Sequence, residues 1–212
     1  MKTSHFSWLV GAALAAVVGA GLPACTAVVD ENAMADDGEE GTASSVDALA
    51  IAGRWKLSPE ARSAGATMFV SYDNAPAWNS KLCGGGLKAG TRKLRDFLDK
   101  TFSSQIDHAE GYACRPNTAN TSRMSMHGTG RALDIFIPMS NGGADNTKGD
   151  LVANYLVLHA EELQIQYMIW DRTQWRANGT NDRLYTGPHP HNDHLHVEIT
   201  TEAANLTAPW YK

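Results

Sequence analysis

The sequence is poor in cysteine, in basic residues and in long apolar runs, and each shortage closes off a class of protein. Three cysteines in 212 residues cannot staple a disulfide-rich miniature scaffold or fill a four-thiolate zinc site. Lys and Arg number 18 against 23 Asp and Glu, a formal net charge of −5. The chain therefore lacks the basic surplus of a general nucleic-acid binder, and no nucleic-acid partner is expected. The apolar run over residues 8–22 is too short and too rich in glycine to favour a stable membrane span. No internal repeat is visible. No His-Glu-x-x-His helix supports thermolysin-type chemistry, and no Gly-x-Ser-x-Gly elbow supports a serine hydrolase assembled from Ser125, His127 and Asp134. The segment from Gly84 to Thr91 lacks the Lys that a phosphate-binding loop needs after its last glycine, and no strand clearly precedes it. What remains is a composition of 43% apolar and 19% charged residues, which belongs to a globular chain long enough for one full domain with appendages.

The placement of charge says more than its total. Seven acids lie between Asp30 and Asp47 with no Lys or Arg among them, so the acidity belongs to a tether and the rest of the chain is close to neutral. A field that steers cationic ligands is a poor reading of such a chain. Ahead of the tether, Lys2 and the apolar residues 8–22 read as an export signal, ending in Leu22-Pro23-Ala24-Cys25. That ending resembles the lipobox of bacterial lipoproteins. The resemblance implies cleavage before Cys25, a lipid on its sulfur as the sole membrane contact, and a place in the cell envelope on the periplasmic or outer-membrane side. Ordinary signal-peptidase cleavage and secretion is the alternative. The expected organisation is a signal over 1–25, a flexible acidic linker over 26–50 and a folded domain over 51–212, beginning near 51–55. With Cys25 lipidated, Cys83 and Cys114 are left as a pair that an oxidising compartment would join, for ~3 kcal/mol of stabilisation in the chain-entropy model; two free buried thiols are the alternative.

Within the domain, Ser58-Pro59-Glu60 reads as a helix start, with Ser as cap and Pro in the first turn. Residues 87–102 carry Leu87, Leu94, Phe97 and Leu98 at helical spacing. Residues 133–137 read as a strand stopped by Pro138. Asp150 is expected to cap a second helix that runs to Leu163, with Leu151, Val152, Tyr155, Leu156 and Leu158 on a broad apolar face. A strand over 164–170, a long loop rich in Gly, Asn and Trp, and a last strand over 194–200 follow. Helices and strands mixed without repeated strand-helix-strand units predict a single α+β domain, a small antiparallel sheet with flanking helices. A monomer is expected.

Five of the eight histidines fall in two clusters, one around His127 and one over His189-Pro190-His191-Asn192-Asp193-His194-Leu195-His196. Strand alternation puts His194 and His196 on one face, opposite Leu195 and Val197. Asp134 sits among the apolar Leu133, Ile135 and Ile137, where a carboxylate is costly unless paired or bound to a cation. One imidazole-bearing loop, one buried carboxylate and one imidazole-bearing strand supply two nitrogens and an oxygen. With an open fourth position, that donor set suits a single catalytic zinc ion.

His127 and Asp134 in a Ser-x-His-x-x-Gly-x-Ala-x-Asp frame, with His194-x-His196, resemble the superfamily of lysostaphin, D-Ala-D-Ala carboxypeptidases and hedgehog domains. The nearest branches are the D-Ala-D-Ala carboxypeptidases and murein endopeptidases. The stretch Gly111-Tyr112-Ala113-Cys114-Arg115-Pro116 is similar to the arginine-bearing segment of the carboxypeptidase branch and to bacterial extensin-like C-terminal domains. The resemblance covers roughly residues 80–200. It implies His127, Asp134 and His196 as zinc ligands, Asp193 as general base, and His194 and His191 as further catalytic histidines. Arg115 would hold the substrate's carboxylate or polarise its carbonyl, with Arg131 as rival. The implied activity is hydrolysis of amide bonds in peptidoglycan peptides, by a carboxypeptidase or an endopeptidase. A zinc-containing envelope-binding domain without activity, and a zinc-dependent cell-wall amidase, are the alternatives. Asp193 could instead orient His191 or His194. His189 is expected in a loop, and His108 and His159 at the surface. Trp170, Trp175, Tyr185 and Trp210 could line a cleft or fill the core.

Overall fold

The computed structural model describes residues 54–180 and 182–212. The expected signal, Cys25, the linker over 26–50 and the first residues of the domain lie outside these. Among the described residues no helix is long and apolar enough to cross a membrane.

The described residues form one small α+β domain. Its strands are β1 (His108–Glu110), β2 (Ala132–Phe136), β3 (Ile165–Trp170), β4 (Thr173–Arg176), β5 (Arg183–Leu184) and β6 (His194–Ile199). They pair in the order β1-β2-β6-β3-β4-β5, antiparallel throughout. The helices are α1 (Pro59–Gly65), α2 (Ala89–Thr101), α3 (Met126–Thr129), α4 (Asn146–Leu158), α5 (Ala160–Leu163) and α6 (Thr201–Ala204).

Alternation divides the sheet into two chemically different faces. Leu133, Ile135, Met168, Trp170, Trp175, Leu195, Val197 and Ile199 turn to a core shared with Leu94 and Leu98 of α2 and with Val152 and Leu156 of α4. Trp170 and Trp175 are thus core residues, and Trp210 packs on Phe97 of α2 at 5.3 Å. The opposite face carries Asp134, His194, His196 and Glu198. The register sets Asp134 directly across from His196 and His196 across from Ile169. Helix α1 begins as expected, with Ser58 Oγ accepting from the Ala61 N–H at 3.1 Å. Asn154 on α4 holds that start in place by accepting from the Ser58 N–H and from Trp55 Nε1, each at 3.2 Å.

Several expectations are corrected. Asp150 does not cap the second helix: α4 begins at Asn146, and Asp145 is the cap, accepting from the Lys148 N–H at 3.3 Å. The Asp150 carboxylate instead accepts from Trp170 Nε1 at 2.9 Å and Asn146 Nδ2 at 3.0 Å, tying the helix to β3. The helix also stops at Leu158 rather than Leu163. His159 breaks it, α5 follows, and Leu151 and Leu158 are exposed. The loop expected after Trp170 holds β4 and β5. Its first turn has positive φ at both Asp171 (37°) and Arg172 (62°), the conformation of a tight hairpin that normally asks for Asn-Gly. Here tertiary bonds hold it: the Asp171 N–H donates to the His191 carbonyl at 2.7 Å and the Arg172 N–H to the Pro190 carbonyl at 2.8 Å. Strand β1, which has no β-branched residue, was also not foreseen.

The Cys83–Cys114 disulfide forms, closing a separation of 31 residues. It joins the segment before α2 to the Gly111–Arg115 stretch. Next to it the Gly84 N–H donates to the Gly128 carbonyl at 2.8 Å, so the bridge pins the loop that leads into α3.

Gly149 in α4 tests how tightly helix and sheet are packed. A Cβ there would lie 2.1 Å from Trp170 Cζ2. An interior helical Gly→Ala change ordinarily gains ~1 kcal/mol. Gly149→Ala should instead destabilise by about 1–3 kcal/mol through overpacking. Urea unfolding checks this; a gain in stability would show that Trp170 can move aside.

Candidate metal centre

His127, Asp134 and His196 bring one ligand atom each to a common point, with all three atoms within 4.8 Å of one another. They arrive from separate elements. His127 lies in α3, a single turn closed by Gly130 with φ 75°. Only glycine fits there, because a Cβ would sit 2.3 Å from the Gly86 carbonyl oxygen. Asp134 stands at the middle of β2, and His196 faces it across the ladder from β6. His127 Nε2 is 3.1 Å from His196 Nδ1 and 3.4 Å from Asp134 Oδ1; His196 Nδ1 is 3.1 Å from Asp134 Oδ1.

The outer nitrogens decide what these inner atoms can be. His127 Nδ1 faces the Gly111 carbonyl, and His196 Nε2 faces Glu198 Oε1 at 3.2 Å. Each outer nitrogen meets an acceptor and must carry the proton. The inner nitrogens are then bare lone pairs directed at each other and at a carboxylate. Three acceptors with no donor among them repel unless a cation or an extra proton lies between them. In the protein without a cation that proton goes to His196. Burial opposes its charge, but the hydrogen bonds to Asp134 and Glu198 outweigh burial and push its pKa up to about 10. Burial would likewise raise the Asp134 carboxyl, but the imidazoles of His127 and His196 hold it well below the usual carboxylate range. The donor set could hold one metal ion.

Glu198 was not foreseen. It is 2% exposed, lies on the same strand face as His194 and His196, and also accepts from Gln166 Nε2 at 3.2 Å and Tyr72 OH at 3.0 Å. Its signal was in the sequence: the alternation His194-x-His196 continues to an acid two residues on, and a carboxylate in an apolar strand needs a partner. The Gly111 carbonyl, a backbone group, left no such trace.

The other expected residues are gathered nearby. His194 Nε2 is 3.8 Å from Asp134 Oδ1, and its Nδ1 is 2.7 Å from Asp193 Oδ1. Asp193 is exposed and stands behind His194 as seen from the centre. His191 is buried, with ring centroids 4.7 Å from His194 and 5.1 Å from Tyr185. Burial, with His196 and His194 close by, pulls its pKa down to about 3, so it is a neutral imidazole. Arg115, Ser125, Tyr167, Tyr185, His189, His191 and His194 line a cavity of about 250 Å³ around the three ligands. Arg131 is not in its wall: its guanidinium donates to the carbonyls of Asp73 (2.9 Å), Asn74 (3.3 Å) and Ile199 (3.3 Å). Of the two arginines, Arg115 is the one that borders the cavity. Both nitrogens of His127 are engaged, so none is left to activate Ser125. His108 is exposed and stacks on Phe136, and His159, half-buried, faces Glu162.

Metal uptake must displace the His196 proton. Below about pH 10 that proton is present, so each ion bound at pH 7–9 should release about one proton, and apparent affinity should rise about tenfold per pH unit over that range. Calorimetry in buffers of different ionisation enthalpy reads the release; uptake with no release would place His196 outside the ligand set. Glu198→Gln should weaken metal affinity by about 10–100-fold through the loss of its hold on the His196 ring.

Comparison with known proteins adds one finding. The family model of the VldE C-terminal domain matches residues 83–196, from the first cysteine of the disulfide to the last of the three ligands. No curated protein and no solved structure matches the chain. Spanning more than half of the chain and all three residues of the triad, the match shows that this protein belongs to the VldE C-terminal domain family.

Proposed function

We propose that this protein is an exported, zinc-dependent metallopeptidase that hydrolyses amide bonds in peptidoglycan peptides. The observation that carries the reading is the meeting of two imidazoles and a carboxylate beside a further imidazole, His194, which is itself backed by Asp193. Zinc fits the donor set. A tetrahedral ion with bonds of ~2.0–2.1 Å keeps its ligands about 3.3 Å apart, and the three ligand atoms stand 3.1–3.4 Å apart. The resemblance of His127, Asp134 and His194-x-His196 to the lysostaphin and D-Ala-D-Ala carboxypeptidase superfamily supports the substrate class. The export signal and lipobox read at the N-terminus, with the Cys83–Cys114 disulfide, support action in the cell envelope.

Zinc supplies Lewis acidity, which makes a water molecule acidic enough to attack at a pH of ~7. The side chains do the rest. Asp193 accepts the Nδ1 proton of His194, which fixes the tautomer and leaves His194 Nε2 as a proton acceptor on the side of the centre. As the water oxygen bonds to the amide carbon, His194 takes its proton. As the carbon–nitrogen bond breaks, His194 returns that proton to the leaving amine. Asp193 thus acts through His194, the orienting role left open for it by the sequence. Arg115, in the cavity wall, offers a fixed positive charge to the carbonyl oxygen as negative charge grows on it.

Purified muropeptides treated with the zinc-loaded protein should be cut, and a chelator should stop the reaction, with products identified by mass. His127→Ala and Asp134→Ala should lose metal and turnover together. Asp193→Asn should retain metal and lose about 10²–10⁴-fold in turnover. Product formation indifferent to the chelator would end the zinc reading; full turnover in Asp193→Asn would remove the dyad.

A further inference from the structure

Two depressions meet at the metal centre, and His127, Asp134 and Arg115 border both. The smaller is the cavity of about 250 Å³ described above. The larger, of about 480 Å³, extends from the centre and is lined further by Glu110, Tyr112, Leu87 and Arg95 of α2. The charges along this second arm are unevenly matched. Arg95 is spent on its neighbour Asp96, to which its Nε donates at 3.1 Å and its Nη2 at 2.8 Å. Asp134 belongs to the triad. Glu110 is left over: its side chain is exposed and lines the arm, and its carboxylate has no hydrogen bond or ion pair among the described residues.

The register explains why Glu110 faces the groove. It stands across from Asp134 in the β1–β2 ladder and so shares the site's face of the sheet. Two positions back on that face, His108 stacks on its cross-strand partner Phe136 at 4.4 Å, while Ala109 between them pairs with the core residue Ile135. Like charges directly opposite one another on a sheet face repel. Glutamine at position 110 would remove that cost, and no contact within the fold uses the negative charge. A carboxylate that repels its neighbour, holds nothing in the protein and borders the metal centre is suited to a cationic ligand.

Resting on the metallopeptidase reading, we propose that Glu110 is a specificity residue that receives a substrate ammonium, the free side-chain amine of a diamino acid in the wall peptide. An ammonium offers three donors and no acceptor, and an ionised carboxylate only accepts, so the two match in hydrogen bonding as well as in charge. The metal centre then engages the amide. Glu110, one strand away at a spacing of about 5 Å, selects the residue beside that amide by its charge. A substrate carboxylate in the same place would meet repulsion.

The test uses the zinc-loaded full chain and synthetic stem peptides that differ only at the amine of their diamino acid. The amine is free, dimethylated (which keeps the positive charge) or acetylated (which removes it). Cleavage is followed by mass, and binding by calorimetry in the Asp193→Asn background, where turnover is expected to be slow. The free and dimethylated peptides should bind, and be cut, about tenfold better than the acetylated one. Glu110→Gln should treat the three alike, and Glu110→Lys should prefer a succinylated amine, which ends in a carboxylate. Metal content and resistance to urea should not fall in Glu110→Gln, because the side chain is exposed and unpartnered. Equal handling of all three peptides by the unaltered protein would overturn the proposal, as would a preference that persists in Glu110→Gln or a loss of metal from that variant. A preference in binding that Glu110→Gln abolishes, with no peptide cut by the unaltered protein, would support the subsite and remove the hydrolase reading instead.

Discussion

Two imidazole lone pairs and a carboxylate are pressed together with nothing but a cation or a proton able to lie between them. Such an arrangement is repulsive by itself, and it persists because each outer nitrogen is fastened elsewhere. The Gly111 carbonyl holds His127 and the Glu198 carboxylate holds His196. Glu198 is in turn held by Gln166 and Tyr72. The rings cannot rotate to relieve the repulsion without giving up a buried hydrogen bond. A metal ion could answer that constraint, with both outer nitrogens already holding their protons and only the inner proton of His196 left to be displaced.

The sheet makes this arrangement possible by keeping two chemistries apart. One face gives Leu133, Ile135, Leu195, Val197 and Ile199 to the helical core. The other gives Asp134, His194, His196 and Glu198 to the site, in a register that sets Asp134 against His196. Core packing thus fixes the positions of the polar side chains, and an error of one residue in the pairing of β2 with β6 would send Asp134 or His196 into the core. Around this platform Arg115, Asn117 and Thr118, the start of α3, and the loop carrying His189 and His191 supply the walls. The loop is anchored through backbone bonds from the turn between β3 and β4. The family match, over 83–196, begins at the disulfide and ends at His196.

Much of this was legible because it is written in period and spacing. Alternation in 194–199 announced a strand with two faces. An acid among Leu133, Ile135 and Ile137 announced a cation or a partner. Ser58-Pro59 announced a helix start. The failures have equally local causes. Asp150 was a plausible cap, but Asp145 lies one turn earlier, and Trp170, twenty residues away in sequence, claims the Asp150 carboxylate. The β3–β4 hairpin was missed because its turn residues are Asp171 and Arg172, held at positive φ by bonds from a distant loop.

The sequence by itself determined which residues could be ligands and that they belong to an α+β domain, since donor chemistry and hydrophobic period are properties of residues in order. Tertiary structure alone decided three other things. It gave the two rings their outer partners, brought Asp193 behind His194, and spent Arg131 on backbone carbonyls while leaving Arg115 at the cavity. Several of these pairings join groups far apart in the chain, His127 with Gly111 and Arg131 with Asp73, and a hydrogen bond acts over distances in space, whatever the distance along the sequence.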